Sequence, residues 1–360
     1  MTCSDGRPGY PWPGCPVLRA VRVRVFLIAA VVVLALSASA AAFAYPWPIK
    51  PFHEQHPIRA NFGDPRTRFW NTMLTDGLEG PGVFQFHNGI DIPAPEGTPV
   101  YPIVSGTAEW LDGSALVVHS KGRKFQYFHI KPVVRNGQHV VAQRTVLGHV
   151  IRAASHVHLT EIRGRRVWNP LAPGGIAPYR DRTVPRVTSI AARPQTSLLA
   201  MDPARVCGTV SLVAAAEDAP PLSVPGAFAG FPVSPALVSW SLSRVADGVV
   251  YVPMLPAADF RTTLPVVRHF WNVYARGSYQ NAPRFSNQQF QMPGRFIYNL
   301  AATFDTRSYP NGLYEVDVRV RDLRGNSSHA LERFRIENDS TLEGCPALQP
   351  PSSSAPYAPR

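Results

Sequence analysis

The chain has 360 residues, of which 45% are hydrophobic, 17% charged and 37 in number are proline. That length suggests two domains with a real apolar core, and the scarcity of charge with many prolines favours loop-rich β structure over a helical protein. The net charge of +12 points to anionic partners such as a cell wall or acidic lipid, but there is no clustered Lys/Arg run or nucleic-acid motif, so nucleic acid is not an expected partner.

In chain order, Arg19, Arg22 and Arg24 precede an apolar run over 25–36, and small residues follow, ending Ala42-Phe43-Ala44. This charged, apolar, small-residue order predicts a secretory signal over 1–44, cut after Ala44. The competing reading is an uncleaved anchor, because 25–44 is just long enough to span a bilayer; only then is the membrane a partner. Either reading exports the remainder to the cell envelope. Cleavage removes four arginines and one aspartate and leaves a charge of about +9. Cys3 and Cys15 lie upstream of the apolar run. Cys207 and Cys345 remain, either as a disulfide in an oxidising compartment or as two buried thiols. Neither sits in a CxxC, so a cysteine zinc site is not expected.

Residues 45–55 are rich in Pro and aromatics and read as a linker. From 56 to 170, short apolar runs alternate with Gly, Asn, Asp and Pro turns, the signature of an all-β domain built from closely spaced short strands. Residues 171–185 hold Pro, Gly and Arg and read as a second linker. The stretch 186–340 is again strand-rich. Its run from Leu313 to Val320 alternates apolar and polar, and Asp322-Leu-Arg-Gly325 reads as a hairpin turn. This predicts a β-sandwich of immunoglobulin-like type. The Pro/Ser-rich end, 341–360, is expected to be a disordered tail.

Two short motifs in the first domain carry candidate chemistry: His87-Asn-Gly-Ile-Asp91 and His156-Val-His158. In a strand, residues two or four apart share a face, so each pair can point one way and two facing strands can bring them to one ion. Imidazole and carboxylate suit zinc, which takes three protein ligands and a water in catalytic sites. Four candidates leave one for proton transfer, and His129, at the end of Phe125-Gln-Tyr-Phe-His129, is a further candidate. Spacing does not decide which four or five residues take which role. Two histidines two apart recur by chance in a chain with 11 histidines. His53, His56, His119, His139 and His149 lack a matching partner and read as surface or packing residues.

The combination resembles the lysostaphin-like (LytM-type) zinc metalloendopeptidases over about residues 56–170. The matching pieces are Asn61-Phe-Gly-Asp-Pro-Arg66, His87 to Thr98, Pro102-Ile-Val-Ser-Gly106, Tyr127-Phe-His129, Asn136 to Val140, Leu147-Gly148, and His156-Val-His158 with Glu161-Ile-Arg163. The resemblance implies a LytM-type antiparallel β-sheet peptidase domain. It further implies one zinc ion on His87, Asp91 and His158, with His129 and His156 flanking the water. The sequence departs from the family in a short approach to the histidine pair, Ile151-Arg-Ala-Ala-Ser155, in Thr160 where an aromatic or acidic residue is common, and in a long segment over 67–86 that is expected to border the groove.

The expected function is exported hydrolysis of peptide bonds in peptidoglycan cross-links or stems. The alternative is a non-catalytic wall-binding or hydrolase-activating module that keeps the metal site. A third reading gives the C-terminal region a wall-targeting role, against a plain spacer.

Overall fold

The computed structural model describes residues 44–70, 81–152, 154–195 and 197–338. The leader reading for 1–44, apart from Ala44, and the tail reading for 341–360 fall outside them, as does Cys345. Among the described residues no helix is long and apolar enough to cross a membrane. Cys207 is buried and disulfide-bonded.

Among the described residues twelve strands precede residue 170. They are β1 (Pro65–Phe69), β2 (Gly82–Phe86), β3 (Ile90–Pro93), β4 (Pro99–Val100), β5 (Gly106–Asp112) and β6 (Ala115–Ser120), then β7 (Arg123–Phe128), β8 (Ile130–Pro132), β9 (His139–Val140), β10 (Gly148–Val150), β11 (His156–Arg163) and β12 (Arg166–Trp168). Nine follow: β13 (Arg186–Pro194), β14 (Thr209–Glu217), β15 (Leu237–Arg244), β16 (Val250–Asp259), β17 (Arg284–Phe285), β18 (Gln288–Gln289), β19 (Ile297–Asp305), β20 (Gly312–Arg321) and β21 (Ser327–Ile336). The one α-helix among the described residues is a single turn, Phe270–Val273. The all-β expectation holds.

The main sheet of the first region runs β12-β11-β7-β6-β5-β9, with β3 paired to β11. Its inner strand reads as a nearly unbroken apolar run, Ala115-Leu-Val-Val118, and all four residues are buried, as a strand covered on both faces requires. The second region holds two antiparallel sheets, β13-β14-β19 and β16-β15-β20-β21. The alternation read in 313–320 appears as Tyr314, Val316, Val318 and Val320 buried on one face of β20. Each such side chain contributes roughly 1.5–3 kcal/mol of burial. The turn at Asp322 is held by its own carboxylate, whose Oδ1 accepts from the backbone of Arg324, Gly325 and Asn326 at 2.6–2.9 Å.

The regions before and after residue 185 share one continuous core cluster. Phe86 packs against Phe260, Phe270 and Tyr274 with ring centroids 5.3–5.9 Å apart. Residues 171–185, read above as a linker, place Leu171, Ala172, Ile176 and Tyr179 in the core. Buried hydrogen bonds cross as well. Asp64 Oδ1 accepts from Ser234 N (3.0 Å) and Oγ (2.5 Å), and Gln280 Oε1 accepts from Thr67 N (2.9 Å) and Oγ1 (2.7 Å). Gly63 lies where a Cβ would sit 2.3 Å from the Phe260 ring, at φ +94°, so no other residue fits there.

The two ends of the segment 67–86, expected as a groove-side loop, lie in the paired strands β1 and β2, with Pro65 opposite Phe86 and Phe69 opposite Gly82, and the loop expectation for 71–80 lies outside the described residues. Strand β17, some 200 residues later, joins β1 in parallel to complete a four-stranded sheet, β18-β17-β1-β2.

Three carboxylates, Asp181, Asp218 and Asp322, meet within 4.8 Å of one another. Burial, reinforced by Asp181, pushes Asp218 up to about 8. Its folded state therefore holds a proton that the unfolded chain has released above the ordinary aspartate pKa of 3.8. Stability falls as pH rises from there to about 8. Asp218→Asn is expected to leave the melting temperature little changed at pH 4 and to raise it by about 2–4 °C at pH 8. Differential scanning fluorimetry at the two pH values checks this, and an equal shift at both would contradict it.

Candidate metal centre

The centre is built where β3 meets β11. Antiparallel pairing sets His158 directly opposite Asp91 and His156 opposite Pro93. His156 and His158 lie two apart on one strand and share a face, as their spacing requires. His87 arrives differently from the strand-parity expectation. It stands in the turn between β2 and β3, its N–H donating to Asp64 O (2.8 Å) and its C=O accepting from Gly63 N (2.9 Å). The turn is possible because position 89 is glycine, where a Cβ would fall 2.2 Å from Leu159 O and 2.9 Å from His158 Nε2.

The three donor atoms meet closely. His87 Nε2 lies 2.8 Å from His158 Nδ1 and 3.1 Å from Asp91 Oδ1, and His158 Nδ1 lies 3.0 Å from Asp91 Oδ1. All three residues are buried. The edge of a tetrahedral site with zinc–nitrogen bonds of ordinary length is about 3.3 Å, so a small outward shift admits an ion. The far side of each ring is already committed. His87 Nδ1–H donates to Asn61 O at 2.7 Å, and His158 Nε2–H to Thr160 Oγ1 at 2.8 Å. Both inward nitrogens are then unprotonated, and outer hydrogen bonds of this kind fix the tautomer a metal needs.

Electrostatics keep the set in that state. Burial, reinforced by Arg66, drives His87 down to about 3. Burial likewise lowers His158. For Asp91, burial alone would favour the neutral acid, but His87, His156 and Arg66 outweigh it and hold the carboxyl well below the usual range. At neutral pH two neutral imidazoles and one carboxylate thus converge as three acceptors with no proton between them. A divalent cation is the group that satisfies such a set.

His156 and His129 stand beside this trio. His156 Nδ1–H donates to Ala154 O (2.6 Å), and its Nε2 accepts from Arg59 Nη2 (3.2 Å) and lies 3.4 Å from Asp91 Oδ1. The His129 ring is centred 4.4 Å from that of His156 and 6.4 Å from that of His158. His129 sits between β7 and β8 at φ +66°, a left-handed conformation that costs a non-glycine residue about 1–2 kcal/mol and swings its ring toward the site. Burial, with His156 adding, pushes His129 down to about 4.

The five residues singled out in the sequence therefore come together. Three further side chains, to which the motif spacing assigns no role, complete the site. Arg66 Nη2 lies 2.7 Å from Asp91 Oδ2, Arg59 Nε lies 3.7 Å from the same oxygen, and Thr160 orients His158. Arg66 sits in the Asn61–Arg66 motif, so its place in the site has a sequence signal, whereas Thr160 has only its departure from the family pattern.

The centre opens into a groove of about 1220 Å³. One wall carries Asp91, His129, His156 and His158. The other comes from the C-terminal region, at Val224–Phe228 and around Arg284 and Phe290.

No protein-family model and no curated protein matches this chain. Part of it is similar to Csd3 of Helicobacter pylori, at 20% identity over 39% of this chain and 36% of that one, with a TM-score of 0.28. Part is similar to a zinc containing peptidase from Vibrio cholerae, at 23% identity over 35% and 39%, TM-score 0.26. A third is the catalytic domain of the prophage-encoded protein EnpA from Enterococcus faecalis, at 23% identity over 34% and 96%, TM-score 0.25. The alignment spans little more than a third of the first two proteins. The chemistry of the site accordingly rests on its own geometry.

Two substitutions test the supporting shell. Thr160→Val removes the acceptor of His158 Nε2–H and is expected to weaken zinc binding about ten- to hundredfold. Gly89→Ala, which drives a methyl into Leu159 O, is expected to weaken it at least as much. Competition against a chromogenic chelator reads both, and wild-type affinity in both variants would contradict the role given to the shell.

Proposed function

We propose that this chain is an exported zinc metalloendopeptidase that hydrolyses peptide bonds in peptidoglycan cross-links or stem peptides. The observation that carries the reading is the convergence of His87 Nε2, His158 Nδ1 and Asp91 Oδ1 within 3.1 Å, proton-free, with two further histidines at the mouth of a groove. One zinc ion, when bound, supplies a water of lowered pKa and polarises the scissile carbonyl.

The chain's own residues do the remaining work. His156 presents Nε2 to the site because its Nδ1–H is occupied by Ala154 O, so it can take a proton from the water. His129, neutral at pH 7, is the second group able to hold or pass on a proton beside it. Arg59, next to His156 Nε2, adds a positive charge near where negative charge develops on the carbonyl oxygen. Peptidoglycan as substrate is supported by the motif resemblance, and export by the leader-type N-terminus.

Purified chain with zinc should release muropeptides from sacculi, read by mass spectrometry, which also identifies the bond. A chelator or His158→Ala should abolish release. His156→Ala should retain zinc yet lower kcat about 10²–10⁴-fold. Release that survives chelator and His158→Ala alike would sink the metallopeptidase reading. Full zinc occupancy with no bond cut in any muropeptide would favour the non-catalytic module.

A further inference from the structure

Among the described residues the groove has one acidic lining residue, Asp91, and four arginines, Arg59, Arg66, Arg152 and Arg284. Arg59 and Arg66 are turned onto Asp91. Arg284 is not, and it comes from the C-terminal region on β17.

Parallel pairing sets Arg284 beside Arg68 and Phe285 beside Phe69. Phe69 and Phe285 stack on the buried face, centroids 5.1 Å apart with planes at 10°. Arg68 and Arg284 therefore share the opposite face, which is exposed at both. Alternation along β1 puts Arg66, the ion-pair partner of the metal ligand Asp91, on that same face. Gln289 stands next to Arg284 in register on β18 and also lines the groove. The result is a row that starts at the metal ligand and runs outward: Arg66 and Arg284 on the groove lining, and Arg68, beside Arg284 but outside that lining, about 7 Å along the strand from Arg66.

Two like charges side by side on neighbouring strands are destabilising unless something neutralises them. Among the described residues neither Arg68 nor Arg284 has an ion-pair or hydrogen-bond partner for its guanidinium. Each guanidinium is a planar fork matched to a carboxylate.

We propose that Arg68 and Arg284 form a carboxylate clamp, so that the groove selects peptides carrying a free carboxylate within about two residues of the scissile bond over neutral peptides of the same length. The proposal rests on the peptidase reading and narrows its substrate. It also gives the C-terminal region a part in substrate selection, because β17 supplies half the clamp.

The test uses the full chain and synthetic stem peptides of one sequence in three forms: a free side-chain carboxylate, a free C-terminal carboxylate, and both amidated. Wild type should cut one of the carboxylate forms with kcat/KM at least about tenfold above the fully amidated form, mainly through KM, and which form is favoured identifies the group that is read. In Arg68→Gln and Arg284→Gln that ratio should fall toward one, and in Arg284→Lys it should be partly retained. Fluorescence anisotropy of the same peptides on chelator-treated chain reads the clamp without cleavage. Carboxylate-dependent binding that needs both arginines, with no cleavage of any form, would retain the clamp and remove the peptidase. Equal cleavage and equal binding of all three forms by wild type would overturn the clamp and leave the peptidase standing. So would variants that lose carboxylate and amide peptides in equal proportion.

Discussion

One buried negative charge organises the site. Asp91 is only 3% exposed, and a carboxylate so far from water persists only when neighbours match its charge and fill its lone pairs. Arg59 and Arg66 supply that charge, and the unprotonated ring nitrogens of His87, His156 and His158 complete a set of five side chains within 3.7 Å of it. These five come from the entry segment, β1, the turn before β3, and β11. The positions of those segments are thus coupled through a single side chain. A one-residue slip of β11 against β3 would turn His156 and His158 to the opposite face of the sheet and dismantle the donor set.

Much of this was legible in the sequence, and for identifiable reasons. The long strands carry periodicity: the alternation in 313–320 and the apolar run 115–118 report their burial directly. The histidine pair on β11 obeys strand parity. His87 does not, because the step from His87 to Asp91 crosses a turn whose shape depends on Gly89 lying against Leu159 O, a contact 70 residues away in sequence. Thr160 looked like a deviation because its value lies in one hydrogen bond to His158, which no pattern along the chain records. The two-residue strand β17 was missed altogether. Two residues have no period, and its partner β1 lies more than 200 positions earlier.

The same distance in sequence hid how the C-terminal region relates to the site. Treated as a separate sandwich, it offers no ligand motif. In the fold its Phe260, Phe270 and Tyr274 pack on Phe86, the residue immediately before His87, and Tyr274 Oη–H donates to Gly63 O (2.8 Å), whose own N–H holds the His87 carbonyl. The turn that presents the first histidine is therefore clamped from behind by residues that follow position 260. Position 158 is held by β3 and β7, and position 87 by the C-terminal region, so the donor set closes only when both are folded.

This division explains why a groove forms at the donor set rather than a flat surface. The sheet carrying His158 supplies one wall. The second wall is fixed by side-chain hydrogen bonds such as Asn281 Nδ2–H to Pro232 O (2.7 Å) and Thr67 N–H to Gln280 Oε1 (2.9 Å), and by the Arg59 guanidinium, 4.5 Å from the Phe228 ring centroid. Arg59 thus touches three things at once: the carboxylate of Asp91, the free nitrogen of His156, and an aromatic ring on the far wall. An arginine in that position couples the width of the groove to the charge at its floor. Neutralising Asp91 would weaken the hold on Arg59 and, through Phe228, loosen the opposite wall. The charge that assembles the donor set is in this way also the charge that shapes the space in front of it.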